Sequence, residues 1–312
     1  MEQCLVTGGA GFIGSHLVEG LLARGDRVRV LDDLSTGKTA NLQPVADRIE
    51  VVRGSVTDPA VVDTAVKGCQ VIYHLAALPS VARSVEEPVA SHEACATGTL
   101  RVLDAARRSG VRRVIYAASS SAYGDIPGAV RRESEPVSPM SPYAAAKLAG
   151  EFYCRCFTTV YGLETVRLRF FNIFGPRQDA SSPYSGVIAL FIAFMSEGRT
   201  PRIDGDGLQS RDFTYVENVV QVALKAAHAP AASGNVYNIG NGASTSVLDL
   251  VKALNQLLGT NIQPVHGPAR PGDVRHSQAD ITLARRDLGY EPTVPFIEGL
   301  RRTLEAHRAQ PR

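Results

Sequence analysis

A short apolar run, Gln3–Val6, leads through Thr7-Gly8-Gly9-Ala10-Gly11-Phe12-Ile13-Gly14 into a helical pattern over Gly14–Arg24, and this join restricts the fold more than any other stretch. Gly8, Gly11 and Gly14 stand where a strand must turn sharply into a helix. Without Cβ they allow positive φ and let a pyrophosphate come close, while the helix N-terminus offers N–H groups and the positive end of its dipole. A glycine triplet alone says little. With a strand before it and a helix after it, it predicts a dinucleotide cradle. The second strand ends in Leu31-Asp32-Asp33, at the distance where an acid can accept both hydroxyls of an adenosine ribose and repel a 2′-phosphate. That selects NAD over NADP, with Asp32 as the primary ligand and Asp33 beside it; the competing role for Asp32 is to cap the following turn.

Beyond the cradle, apolar runs keep alternating with helical patterns. Strands are expected at Arg27–Leu31, Ile49–Arg53, Val71–Leu75, Val114–Ala118 and Thr165–Phe170, and helices at Pro59–Val66, Ala90–Ser109 and Pro142–Tyr161. This is the pattern of an α/β Rossmann fold, a doubly wound parallel sheet covered on both faces. The regularity breaks after Phe171. A Pro/Ser-rich loop is expected over Gly175–Ser185, a helix over Gly186–Glu197, and a turn or hairpin around Gly205-Asp206-Gly207 within Thr200–Arg211. Further strands at Phe213–Val216 and Val236–Ile239 flank a helix at Val219–Ala227. The helix Val247–Leu258 has Ser246 as its N-cap, residues 267–280 form a polar segment, and a helix at Phe296–Ala309 ends the pattern. Residues 1–172, completed by about 213–240, are thus expected to form a cofactor-binding domain, and 173–312 a smaller α/β substrate-binding domain.

The 312 residues, 44% of them hydrophobic, are enough for such a two-lobed core. A formal charge of +2 argues against a nucleic-acid binder driven by phosphate attraction. No apolar run approaches the roughly 18 residues of a membrane span. The five cysteines are odd in number and show no metal-ligand spacing, so no metal site is expected; they read as reduced thiols of a cytoplasmic protein. The chain opens on a strand-like run rather than a charged-then-apolar leader pattern, which points to the same compartment.

Tyr143 and Lys147 lie four apart on the predicted helix after Pro142 and so share one face. Near a lysine ammonium and a positive nicotinamide ring, a tyrosine is expected to lose its proton more easily and become a general base for a sugar hydroxyl. The strand Val114–Ala118 delivers Ser119-Ser120-Ser121 to the carboxyl edge of the sheet, where open α/β sheets place ligands. Ser119 can bond the same hydroxyl and relay its proton. Tyr-x-x-x-Lys recurs by chance; combined with the glycine turn and the serine-terminated strand it becomes specific.

Thr7–Gly14, His74-Leu75-Ala76-Ala77, Ser119–Gly124 and Tyr143–Lys147 together resemble the extended short-chain dehydrogenase/reductase superfamily over essentially the whole chain. Within it the sequence is most similar to the UDP-hexose 4-epimerases. The resemblance implies a tightly held NAD contacted by Gly8, Gly11, Phe12, Ile13, Gly14, Asp32, Asp33, Ser55, Val56, Leu75, Ala76, Ala77, Tyr143 and Lys147. Arg169–Gln178 resembles a diphosphate-binding segment with Asn172 at the ligand position. Ser210-Arg211-Asp212-Phe213 and Arg270-Pro271-Gly272-Asp273 resemble segments in which arginines hold the diphosphate and an aspartate the uridine ribose. Forked arginine donors suit phosphate oxygens; the competing role for Arg211 is an ion pair with Asp206 or Asp212. By resemblance, Ser120, Ser121, Gln178, Val187 and Ser277 complete the substrate contacts. The implied chemistry is that Tyr143 deprotonates the sugar 4-hydroxyl as hydride leaves C4 for NAD⁺. The 4-keto sugar then turns about its phosphate linkage, and hydride returns to the opposite face.

Related 4,6-dehydratases carry an Asp-Glu pair where this chain has Ser120-Ser121, and related decarboxylases usually carry a glutamate at the second position, so neither reaction is expected. Epimerases restricted to plain hexoses have a bulky tyrosine at the position of Ser277, and a small residue frees room for a 2-acetamido group. Gln178 and the loop 180–186 also resemble the N-acetyl-preferring enzymes. Interconversion of UDP-GlcNAc and UDP-GalNAc is therefore expected, with UDP-glucose and UDP-galactose as lesser substrates. A UDP-glucuronate 4-epimerase, or a nucleotide-sugar reductase that releases its cofactor each turnover, are the alternative readings, and a catalytically dead NAD-binding regulator is a third. The chain departs from the family at Ser55 and Cys95, where Asp and Asn are frequent; weaker NAD affinity with an unchanged reaction is expected. The helices Ala90–Ser109 and Pro142–Tyr161 are expected to pair across a two-fold axis in a homodimer.

Overall fold

The structure, a computed structural model, describes residues 1–180, 186–269 and 274–309. Arg270, Asp273 and positions 181–185 of the expected substrate loop lie outside these.

Seven strands form one parallel sheet in the order Val236–Ile239, Glu164–Phe170, Arg113–Ser119, Val71–His74, Gln3–Thr7, Arg27–Asp32 and Ile49–Arg53. The order reverses between Gln3–Thr7 and Val71–His74, the switch point at which such sheets open a crevice. The central strands are buried on both sides, with Val71, Ile72, Tyr73 and His74 all at 1% exposure or less. That burial explains why they read as unbroken apolar runs rather than alternating ones. Separate apolar cores cover the two faces. A third gathers the helices Val187–Ser196, Val247–Leu258 and Phe296–Arg308. Strand Val236–Ile239 returns to the large sheet beside Glu164–Phe170.

Helix Pro142–Tyr161 shows how local chemistry sets the elements that matter. Ser141 accepts the Ala144 N–H at 3.1 Å, Pro142 occupies the first helical position, and Gly162 ends the helix at φ 70°. Ser246 caps Val247–Leu258 as expected, accepting from the Asp249 N–H at 3.0 Å.

The fold departs from the expected elements in five places. The single helix expected over Ala90–Ser109 starts at Pro88 and is interrupted by a π-helical turn over Glu93–Thr97 before Gly98–Arg108. At that turn the Thr99 hydroxyl donates to the Cys95 carbonyl at 2.6 Å, and such back-bonding competes with the regular ladder. The glycine turn at 205–207 does not fold Thr200–Arg211 into a hairpin. Arg202–Asp204 pairs with Val265–Gly267, and Ser210–Arg211 lies between Thr245–Ser246 and His276–Ala279, because distant segments supply the edges. The polar segment 267–280 thus carries a strand, and the short helices Val81–Glu86 and Thr282–Leu288 escaped the periodicity. Among the described residues no helix is long and apolar enough to cross a membrane.

Candidate active site

All strands of the large sheet are parallel, so Thr7, Asp32, His74, Ser119 and Phe170 end on one edge. At Gly8, φ is +72°, and a Cβ there would stand 2.9 Å from the Ala76 amide nitrogen. A Cβ on Gly14 would meet the Gly8 carbonyl oxygen at 2.1 Å, so neither position admits a side chain. Gly11 caps the helix Phe12–Ala23 without a side-chain bond. The first N–H groups of that helix have no intrahelical acceptor. Backbone thus closes in on both glycines, and the turn fits a pyrophosphate.

Asp32 is 7% exposed and accepts the Ala10 N–H and the Leu34 N–H, each at 2.8 Å. Burial pushes its carboxyl above the usual range, against the pull of both bonds. It does cap its turn, and each oxygen keeps a further lone pair for a ribose hydroxyl. Asp33 accepts from the Ser35 N–H at 2.9 Å and from its hydroxyl at 2.6 Å. Ser55 Oγ bonds Thr57 Oγ1 at 2.9 Å, and Val56 packs under Gly98. Asp58 caps the helix Pro59–Val66. Leu75 and Ala76 back directly onto Gly8, while Ala77 and Tyr143 pack on one small cluster of Cys95, Ala96 and Ala146. The 75–77 stretch thus joins the cradle to the reactive side.

Behind that stretch lies His74, which the sequence pattern marked only as part of a motif and gave no role. His74 Nδ1 bonds Thr7 Oγ1 at 2.7 Å and Nε2 bonds Thr99 Oγ1 at 2.9 Å. Burial, with Lys147 nearby, pushes its pKa down to about 3, so the ring is a neutral spacer. Its place inside an apolar strand run, Val71–Leu75, was the available signal.

Ser119 closes its strand. Its Oγ bonds Ser121 Oγ at 2.8 Å and accepts the Ser121 N–H at 3.2 Å, with Ser120 opening the single helical turn that follows. The Ser119 hydroxyl lies beside the Tyr143 phenol. Lys147, 3% exposed, donates to the Ala117 carbonyl at 2.7 Å and sits 4.8 Å over the Tyr116 ring. The expectation that this ammonium acidifies Tyr143 is not met within the protein alone. Burial pushes the phenol above its ordinary range, opposed by the neighbouring Ser119 hydroxyl, and the ammonium is turned to Ala117 and Tyr116. Burial lowers the Lys147 pKa in turn, opposed by Cys95, Cys154 and Glu151. Cys95 lies in the π-helical turn, fully buried. Nothing in the structure explains its substitution, or that of Ser55.

One helical turn past Lys147, on the same face, Glu151 makes a forked pair with Arg169 of the adjacent strand, at 2.8–3.2 Å. Both side chains are buried. Arg169 lies 4.7 Å over the Tyr123 ring, whose hydroxyl donates to Asn238 at 2.7 Å. The i, i+4 spacing from Lys147 was visible in the sequence; the partner was not.

Asn172 adopts φ +35°, and its carbonyl accepts the Thr214 N–H at 3.2 Å. Gln178 Nε2 donates to the Ile173 carbonyl at 3.4 Å, and Val187 opens the helix Val187–Ser196. Arg211 stands in register with Ser277 on the neighbouring parallel strand. Of its two suggested ion-pair partners, Asp206 is gripped by Arg275 at 2.6–2.8 Å, and the Asp212 carboxylate takes backbone N–H groups.

The sequence profile described as "NAD dependent epimerase/dehydratase family" matches residues 4–240. The chain is 41% identical over 310 residues to a UDP-glucose 4-epimerase of Mycolicibacterium smegmatis, covering 98% of each. It is similar in fold to the UDP-N-acetylglucosamine 4-epimerase of Methanobrevibacter ruminantium in complex with UDP-N-acetylmuramic acid (TM-score 0.95, 37% identity, 99% of both chains). It is also similar to the UDP-glucose 4-epimerase of Thermus thermophilus in complex with NAD (TM-score 0.90, 36% identity, 99% of this chain and 100% of that one). A parallel sheet with a glycine cradle, a serine-ended strand and a Tyr–Lys helix, matched at this identity over the full length, means that the chain belongs to the NAD dependent epimerase/dehydratase family and stands among its UDP-sugar 4-epimerases, isomerases that work with NAD.

Proposed function

We propose that the chain inverts C4 of a UDP-linked hexose and that its preferred pair is UDP-GlcNAc and UDP-GalNAc, with UDP-glucose and UDP-galactose turned over less well. The observation that carries the reaction is the Tyr143 phenol beside the Ser119 hydroxyl on the edge that also bears the cradle. NAD⁺, when bound along Gly8–Gly14 and Asp32, supplies the hydride acceptor and donor. Tyr143 takes the proton of the sugar 4-hydroxyl and gives it back, and Ser119 holds that hydroxyl and passes the proton on. Lys147, anchored at Ala117, keeps a positive charge in the buried site. Asn172 and Arg211, with Arg270 and Asp273, fix the diphosphate and uridine while the hexose turns. Ser120, Ser121, Gln178 and Val187 line the sugar side. In this reading residues 1–172 with 213–240 hold the cofactor and 173–312 the nucleotide sugar. The seven-stranded sheet and the separate core around Val187–Ser196 support that division.

The acetylated preference rests on Ser277, whose register opposite Arg211 sets a small side chain next to a residue of the diphosphate grip. Proton NMR of the enzyme with each UDP-sugar separately tests it. Conversion of the acetylated pair is expected to be fastest, and conversion of the plain pair alone would overturn the preference. Ser277→Tyr is expected to reduce turnover of the acetylated pair roughly 10-fold or more, since overpacking a filled site costs about 1–3 kcal/mol, while the plain pair is spared. Equal loss on both pairs removes Ser277 from specificity. A stoichiometric absorbance change at the nicotinamide band would identify a reductase instead.

Five unpaired thiols, four of them buried, fit a cytoplasmic protein. Phe152, Tyr153, Val160 and Tyr161 leave an apolar outer face on the helix Pro142–Tyr161, which supports homodimer formation through it. Light scattering of the purified enzyme is expected to give twice the 33.3 kDa chain mass.

A further inference from the structure

We infer that Asp212 is a positioning residue for the nucleotide end of the substrate: its buried carboxylate joins three separate segments and so holds Arg211 and Ser277 in register. This rests on the reading that Arg211 grips the diphosphate. Asp212 is 0% exposed. Its Oδ1 accepts the Asn241 N–H at 2.6 Å and the Thr214 hydroxyl at 3.3 Å. Its Oδ2 accepts the Gly242 N–H at 3.0 Å and the Ala279 N–H at 3.1 Å. Its own N–H donates to the Ser277 carbonyl at 2.8 Å. The residue is thus bonded twice to the strand carrying Ser277, through Ser277 itself and through Ala279. It is bonded also to the loop that leaves the large sheet after Ile239.

The packing leaves no slack. A Cβ on Gly240 would lie 2.6 Å from Asp212 Oδ2 and 2.5 Å from the Ala279 methyl. The strands being held are short: Ser210–Arg211 has two residues and pairs with His276–Ala279 only through Ser210↔His276 and Arg211↔Ser277. Two-residue ladders, to His276–Ala279 on one side and Thr245–Ser246 on the other, are too short to fix an arginine's backbone by themselves. The carboxylate adds the missing cross-links, in a core where every unmade bond is expensive. Burial lifts its carboxyl to about 6, held down only by the hydrogen bonds it accepts from neutral groups. A charge is therefore kept in the interior at a cost that simple packing does not require. The cost fits a part that must not move, because an arginine displaced along its strand no longer meets both phosphates at once.

Asp212→Asn keeps the volume but turns an amide N–H₂ toward backbone N–H groups. In the holoenzyme it is expected to raise KM for the UDP-sugar, and the Kd for UDP alone measured by calorimetry, roughly 10-fold. The effect on kcat is expected to be smaller, and NAD content unchanged. Gly240→Ala, which pushes on the same oxygen, is expected to act the same way and serves if the first variant does not fold. UDP affinity preserved in the folded variant, or kcat lost at unchanged UDP affinity, overturns the inference alone. Failure of the unaltered enzyme to bind UDP overturns the functional reading, and this inference with it.

Discussion

Replacing Tyr143 by Phe is expected to lower turnover by roughly 10²–10⁴-fold, the usual contribution of a positioned acid–base group, while NAD content and UDP affinity stay as they are. The ring keeps its packing on the cluster of Cys95, Ala96 and Ala146, so the fold loses nothing but one hydroxyl. Ser119 retains its bond to Ser121 and does not take over, since an unactivated serine hydroxyl is a poor base. The measurement is NMR conversion of the UDP-sugar, with bound nucleotide counted from the same sample. The pH dependence follows from the site. Burial holds the phenol protonated above its ordinary range, and within the protein only the neighbouring Ser119 hydroxyl lowers it. The active phenolate must then gain from positive charge nearby, Lys147 and the oxidised cofactor. Turnover is expected to climb as pH rises, along a single-proton limb that Tyr143→Phe abolishes. A variant retaining more than about a tenth of the activity, or keeping that limb, would remove Tyr143 as the base.

Much of this site was legible in the sequence, and the pattern of what was legible is physical. The cradle and the Tyr143–Lys147 face depend on local rules: glycine where Cβ cannot fit, and side chains four apart meeting on one helix face. Such rules are written in adjacent residues. The central strands of the large sheet were legible too, because burial on both faces leaves apolar runs. What escaped is what depends on distant segments. Strand His276–Ala279 has no apolar run and no clean alternation: His276 is exposed, Ser277 and Gln278 are half-buried, and only Ala279 is buried. Its partners Ser210–Arg211 and Val130–Arg131 define it. Two-residue strands carry no period at all, so Ser210–Arg211 could not announce its neighbours either. The setting of Tyr143 is only partly legible for a related reason. Spacing puts Lys147 on the same helix face, but only the fold reveals that the Ala117 carbonyl and the Tyr116 ring engage the ammonium.

Glu151→Ala is expected to destabilise the fold by about 3–5 kcal/mol, the usual result of stripping one partner from a buried ion pair. At a few degrees per kcal/mol for a chain of this size, the melting temperature falls by roughly 10 °C. The magnitude comes from what is left behind. Arg169 is 4% exposed, and its Nε and Nη2 both spend their hydrogens on Glu151. Its Nη1 already has no hydrogen-bond partner among the described residues, so no spare acceptor is at hand when the carboxylate goes. Contact with the Tyr123 ring at 4.7 Å offsets only part of a bare buried cation. Glu151→Gln, which still offers an oxygen, is expected to lose less. Glu151→Leu combined with Arg169→Met is expected to recover most of the loss, because neither charge then remains to be desolvated. The loss also reaches the chemistry. Glu151 is one of the groups that raise the Lys147 pKa against burial, so its removal favours the neutral amine and weakens the field that helps Tyr143 ionise. The rising limb of the pH profile should therefore move to higher pH in Glu151→Gln, measured at a temperature where that variant is fully folded. A melting temperature within about 2 °C of the unaltered enzyme in Glu151→Ala would mean that Arg169 finds another partner, and the pair would then be no brace between the Tyr143–Lys147 helix and the strand leading to Asn172.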